Sequence, residues 1–294
     1  MGAPPTTDFS PFPKPAQQPA PARGLDAIAA RGTGNVGRLQ EVPAEVLQER
    51  SQSALAVLRE AVDAGPAAFS TSLGAEDMVL LDLIRSHGLD IAIFTLDTGR
   101  LHEETYRVLQ RAEARYGRCI EVRMPDPQAV RALVAAQGIN GFYESVAQRQ
   151  ACCVVRKLQP LKQALAGRRA WVTGQRAAQS VTRAGLLPRE PQGPGEPEKF
   201  NPLHDWSEAE VWAYLRAHDV PWNELHERFF PSIGCAPCTR PVTLGEDIRA
   251  GRWWWESAQT RECGLHAPPS AAPAQRPVAA QAAEPPSQPL HQTP

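Results

Sequence analysis

Two pairs of cysteines stand far apart in this chain: the adjacent Cys152 and Cys153, and Cys235 with Cys238 in a Cys-Ala-Pro-Cys run. A fifth, Cys263, lies in Arg261-Glu262-Cys263-Gly264-Leu265-His266. Four thiolates can hold one metal centre, and such a soft donor set selects zinc or an iron–sulfur centre. A Cys-x-x-Cys turn suits chelation because it points both sulfurs the same way. Adjacent cysteines are unusual for a zinc ribbon, which pairs two Cys-x-x-Cys units; the residues alone leave both metals open. Cys263 then remains as a nucleophile. Gly264 lets it approach a substrate, and His266 is placed to lower its pKa or to contact the substrate. The plain alternative is a tail thiol with no role.

Other residues suit anions. Ser70-Thr71-Ser72-Leu73-Gly74-Ala75-Glu76-Asp77 falls between an apolar run and a helical pattern. Hydroxyls, a glycine and free N–H groups at a helix start can bind an anion, although the same residues also make an ordinary helix cap. No Gly-Lys-Ser/Thr follows, so this is not a P-loop. Gly174-Gln175-Arg176 follows a second apolar run, and Arg249 and Arg252 stand three apart. Guanidinium groups grip phosphate and sulfate through paired hydrogen bonds. Lys157 lies four residues after Cys153, on the same face of an expected helix running from Cys152 to Leu165. A cation there offsets thiolate charge. Cys119 reads as a buried strand residue. His87, His102, His204, His218 and His226 form no metal-ligand spacing.

These residues need a scaffold. Apolar spacing predicts a helix over 42–62, a buried strand over 67–70, and a helix opened by Gly74. It then predicts a strand over 90–96, a helix over 102–116, a strand over 119–123, a helix over 129–137 and a strand over 171–174. Strands alternating with helices imply a three-layer α/β domain with a mostly parallel sheet. Ligands in such sheets bind beyond the carboxyl ends of strands. Ser70 to Gly74, Asp97 to Gly99 and Gly174 to Arg176 all fall there. Residues 1–23 and 267–294 are dense in proline and alanine and read as disordered tails, flanking one domain over 24–266.

The net charge of -1 offers no global field for nucleic acid. No apolar run is long enough to span a bilayer, so no membrane partner is expected. Without an apolar signal core near the N-terminus, a cytoplasmic, reducing setting is expected, where clustered cysteines bind metals or do redox work.

Taken together, Ser70 to Asp77, Leu96-Asp97-Thr98-Gly99, Cys152-Cys153-x-x-Arg156-Lys157, Thr173-Gly174-Gln175-Arg176, Cys235-x-x-Cys238 and Glu262-Cys263-Gly264-Leu265-His266 resemble the assimilatory adenylyl-sulfate reductases. The resemblance runs from about Phe69 to His266. It implies a fold related to the ATP pyrophosphatase domains, with an altered phosphate loop. It implies a [4Fe-4S] cluster on Cys152, Cys153, Cys235 and Cys238, and reduction of adenylyl sulfate to sulfite and AMP through Cys263, with thioredoxin as electron donor. Substrate contacts carry over to Ser72, Gly74, Lys157, Arg176, Arg249, Arg252 and His266. Ala177-Ala178 depart from the more polar residues common after that arginine. A homo-oligomer is the expected assembly. The rival readings are a phosphoadenylyl-sulfate reductase, whose relatives lack the two cysteine pairs, and a zinc-stapled nucleotide-binding module without redox chemistry.

Overall fold

The computed structural model describes residues 40–179, 185–243 and 245–257. Both expected tails, and with them Cys263 and His266, lie outside the described residues.

The chain forms a six-stranded sheet in the order β3-β2-β1-β4-β6-β5. Its strands are β1 (Ala67–Thr71), β2 (Ile91–Leu96), β3 (Ile120–Arg123), β4 (Ala170–Val172), β5 (Arg189–Glu190) and β6 (Glu198–Phe200). All pairings are parallel except β5 with β6. Among the described residues the α-helices are α1 (Ala44–Asp63), α2 (Ala75–Ser86), α3 (Glu103–Tyr116), α4 (Pro127–Gln137), α5 (Val146–Cys153), α6 (Gln159–Leu165) and α7 (Glu208–Ala217). No helix among the described residues is long and apolar enough to cross a membrane.

Strand alternation builds the two interlayers. Ala67, Phe69, Ile93 and Val172 join the larger core, with Leu58 of α1, Leu80 and Leu81 of α2 and Leu215 of α7. Ala68, Phe94 and Trp171 point the other way, against Leu161 and Ala164 of α6. A strand covered on both faces must be apolar throughout, which is why the β1 and β2 segments read as unbroken apolar runs. The expected three-layer α/β class is the one observed.

Two local expectations need correction. The cysteine helix does not begin at Cys152. Ser145 caps it instead, its Oγ accepting the Gln148 N–H at 3.2 Å, and α5 ends at Cys153. A π turn over Val154–Leu158 then leads into α6. Pro160 supplies a reason. It has no N–H, and its ring crowds the carbonyl four residues back, that of Arg156. Cys119 is half-buried and stands one residue ahead of β3. The chain from 185 to 230 supplies β5, β6 and α7, for which the spacing reading gave no elements. Yet Ser207 and Glu210 form a complete capping box at the start of α7.

Candidate active site

The carboxyl ends of β1, β2 and β4 open into a cleft of about 280 Å³. Ser72, Gly74, Lys157, Arg176, Arg249 and Arg252 all line it. Every described residue expected to contact substrate is therefore brought to one place. Arg249 and Arg252 reach it from a turn, closed by the Arg252 N–H to Arg249 carbonyl bond at 2.9 Å, and not from a helix.

The floor of the cleft is already partly neutralised. Leu73 holds a left-handed φ of 60°, so the chain turns sharply before Gly74 caps α2. Both the N–H and the Oγ of Ser72 donate to Asp77 Oδ2, at 2.5 and 2.7 Å. Both Ser72 donors are thereby engaged within the protein. Burial pushes the Asp77 carboxyl up to about 6, against the two Ser72 bonds that pull it down. Gly174 at the end of β4 meets this carboxylate, and a Cβ there would run into Asp77 Oδ1. Glycine is needed for that close approach.

Arg176 is a wall of the cleft. Its Nε and Nη2 donate to Glu76 Oε1 at 2.9 and 2.7 Å, and its Nη1 donates to the Trp206 carbonyl at 3.1 Å. Burial opposes ionisation of Glu76, but the Arg176 guanidinium outweighs it and holds the carboxyl at about 2. The pair ties α2 to the loop after β4 along one side of the cleft.

A second, smaller cavity lies alongside. Cys152, Cys153, Cys235 and Cys238 all line it. The two latter sit on a 3₁₀ turn closed by the Cys238 N–H to Cys235 carbonyl bond at 2.9 Å. The Ala236 N–H donates to the Arg100 carbonyl at 2.8 Å, and Thr98 Oγ1 lies 3.2 Å from Cys235 Sγ. The β2 loop therefore seats the Cys-x-x-Cys turn opposite the end of α5. None of the five described cysteines is in a disulfide.

The donor set here is all sulfur, with Arg100, Arg149, Arg156, Lys157 and Arg252 in the same lining and no carboxylate among it. Burial pushes the Cys238 thiol up to about 12, and neighbouring Cys235 adds to this. Burial raises Cys152 too, against the pull of Arg156. Buried thiols of this kind stay protonated until a metal displaces the protons. Among the described residues, no three His, Cys, Asp or Glu side chains are gathered as ligands of a single metal ion. The thiols border a common space. An all-sulfur donor set of this kind, with cations around it, suits a soft metal or an iron–sulfur centre.

The two spaces touch: Lys157, Arg252 and Trp253 line both. The Arg252 guanidinium lies 4.6 Å from the Trp253 ring centroid. Its Nη1 donates to Ser232 Oγ at 3.3 Å and to the Ile233 carbonyl at 3.2 Å. Gly234 leaves room for it, since a Cβ there would run into the guanidinium. Trp253 is buried core, whereas the next tryptophan, Trp254, is exposed.

Comparison with known proteins finds relatives of this chain. The family described as "Phosphoadenosine phosphosulfate reductase domain" matches residues 66–241. A protein named adenosine 5'-phosphosulfate reductase from Allochromatium vinosum is 61% identical over 198 residues, 67% of this chain and 77% of that protein. Another of that name, from Burkholderia cepacia, is 55% identical over 218 residues, 74% of this chain and 86% of that one. The crystal structure of phosphoadenylyl-sulfate reductase from Candida auris, a phosphate complex, superimposes with a TM-score of 0.55 at 25% identity. It covers 69% of this chain and 99% of its own. The chain belongs to the family of adenosine 5'-phosphosulfate and phosphoadenosine phosphosulfate reductases.

Proposed function

We propose that the chain reduces adenylyl sulfate to sulfite and AMP, with Cys263 as nucleophile and a thioredoxin dithiol as electron donor. The observation that carries this reading is the shared wall. A cleft with cations for a phosphosulfate and a four-cysteine cavity have Lys157 and Arg252 in common. The relatives' names supply the substrate.

In the first half-reaction the Cys263 thiolate attacks the sulfuryl sulfur. The S–O bond to the phosphate breaks, and AMP leaves with the electron pair. Negative charge grows on the non-bridging oxygens as it does in phosphoryl transfer. Lys157, Arg249 and Arg252, which line the cleft, would stabilise it as preorganised cations. His266 is the matching contact from the C-terminal motif. In the second half-reaction a thioredoxin thiolate attacks Cys263 Sγ, sulfite leaves with its electron pair, and a mixed disulfide forms. The second thioredoxin thiol resolves it. The dithiol supplies both electrons. Cys152, Cys153, Cys235 and Cys238 would hold a [4Fe-4S] cluster, which when bound supplies local charge next to Lys157.

The reading is tested by sulfite release from adenylyl sulfate and from its 3'-phosphorylated analogue, with thioredoxin as reductant. Selective turnover of adenylyl sulfate supports it. Selective turnover of the phosphorylated analogue would move the chain to the other branch of the family. Release from neither would defeat the assignment.

Gly234→Ala gives a milder check on the shared wall. The added methyl displaces the Arg252 guanidinium, so kcat/KM for adenylyl sulfate is expected to fall about tenfold, or roughly 1.4 kcal/mol. Unchanged kinetics would mean that the position of Arg252 does not matter. Gly174→Ala acts on the floor of the cleft. Crowding Asp77 is expected to lower stability by about 1–3 kcal/mol, measured as a shift in denaturant midpoint.

A further inference from the structure

Arg149 and Glu256 form a buried ion pair that the reaction outlined above does not use. Their side chains are 1% and 2% exposed. Nε of Arg149 donates to Oε1 of Glu256 at 2.8 Å, and Nη2 to Oε2 at 2.9 Å, a bidentate pair joining residues 107 apart in sequence. Arg149 sits on α5, three and four residues before the two cysteines, and its guanidinium interacts with Cys153. It also lies 4.8 Å from the centroid of the Trp253 ring, to which Arg252 is stacked as well.

Glu256 ends a short segment that begins at Arg249. That segment is held at two further points. The Arg240 N–H donates to the Gly251 carbonyl at 3.0 Å, and the Trp253 N–H donates to the Cys238 carbonyl at 3.1 Å. Trp253 takes a φ of 44°, rare for a bulky residue. This turns the chain back, with the Glu256 N–H donating to the Trp253 carbonyl at 2.9 Å. Strain of this kind persists only where the surroundings over-determine it. The buried pair is one such constraint, and it is directional: a hydrophobic contact would not fix the segment's register against α5.

We infer that Arg149 and Glu256 are positioning residues. They lock the helix that carries Cys152 and Cys153 to the segment that carries Arg249 and Arg252, so the cysteine cavity and the anion cleft form as one unit. The inference rests on the proposed function only for the identity of the anion.

The test uses the full chain, purified anaerobically, with Glu256→Gln and Arg149→Lys. Each keeps a polar side chain of similar size and breaks the bidentate charged pair. Two readouts are independent of turnover: amide hydrogen exchange, and AMP affinity by calorimetry. Losing charge-assisted bonds of this strength corresponds to about tenfold or more. Exchange across 249–256 is expected to quicken by that factor, and AMP binding to weaken about tenfold, while β1 and β2 keep their protection. Unchanged exchange across 249–256 overturns the inference. So does equal loss of protection throughout the sheet, which would make the pair a general stabiliser. A double replacement, Arg149→Met with Glu256→Leu, guards against a folding failure, because well-packed apolar residues can substitute for a buried pair without loss of stability. That variant is expected to fold with β1 and β2 protected yet still bind AMP weakly; normal AMP affinity in it also overturns the inference. If no substrate releases sulfite, the proposed activity fails while the exchange result still stands or falls by itself.

Discussion

Replacing Cys263 with serine is expected to lower sulfite release from adenylyl sulfate by about four orders of magnitude or more, with AMP binding unchanged. Two physical effects add. A serine hydroxyl is hardly ionised near neutral pH, so the first attack slows. If a sulfate were still transferred to the serine oxygen, it would sit there as an ester. Thiol exchange acts on sulfur, and an O–S ester offers a thioredoxin thiolate no sulfur to displace sulfite from. The second half-reaction therefore stops as well. Steady-state sulfite assay and AMP calorimetry on the same sample check both halves of the claim. Normal sulfite release by this variant would remove Cys263 from the chemistry.

Arg252→Ala is expected to lower kcat/KM for adenylyl sulfate by about 10²–10³, or roughly 2.7–4 kcal/mol, the scale for removing one preorganised donor to developing charge. The structure argues for the upper part of that range. Arg252 is pinned by Ser232, the Ile233 carbonyl, Trp253 and the missing Cβ of Gly234, so its charge is fixed before substrate arrives. It also lines the cysteine cavity, where its charge pulls against the burial that raises the Cys238 thiol. Arg252→Lys is expected to recover little, because a lysine cannot reproduce the planar fork and the ring stacking together. A change smaller than about threefold in the alanine variant, measured with its melting temperature to exclude unfolding, would deny Arg252 its place in the mechanism.

The layer architecture was legible because β1, β2 and β4 are buried on both faces, and such strands must be continuous apolar runs. The same logic put Ser72, Gly74 and Arg176 at the strand ends, and the cleft is where they meet. What pattern could not reach was pairing at long range. Nothing local announces that Ser72 donates twice to Asp77, or that Arg176 is bonded to Glu76 and the Trp206 carbonyl. Both residues line the cleft, and these bonds set how they are held there. Nor does any periodicity join Arg149 to Glu256. The misplaced start of α5 has a local cause. Ser145 is an N-cap signal, but the π turn before Pro160 breaks the 3.6-residue period on which the reading relied. Helix α7 was within reach, since Ser207 and Glu210 carry the capping box in plain sequence.

The central claim is that the cavity lined by Cys152, Cys153, Cys235 and Cys238 holds an iron–sulfur cluster beside the anion cleft. Its most direct test is iron and sulfide analysis, with a visible absorption spectrum, on protein purified without oxygen. The account predicts a brown protein with about four irons and four sulfides per chain. A colourless protein carrying zinc on the same cysteines would contradict it and leave a structural metal module in its place.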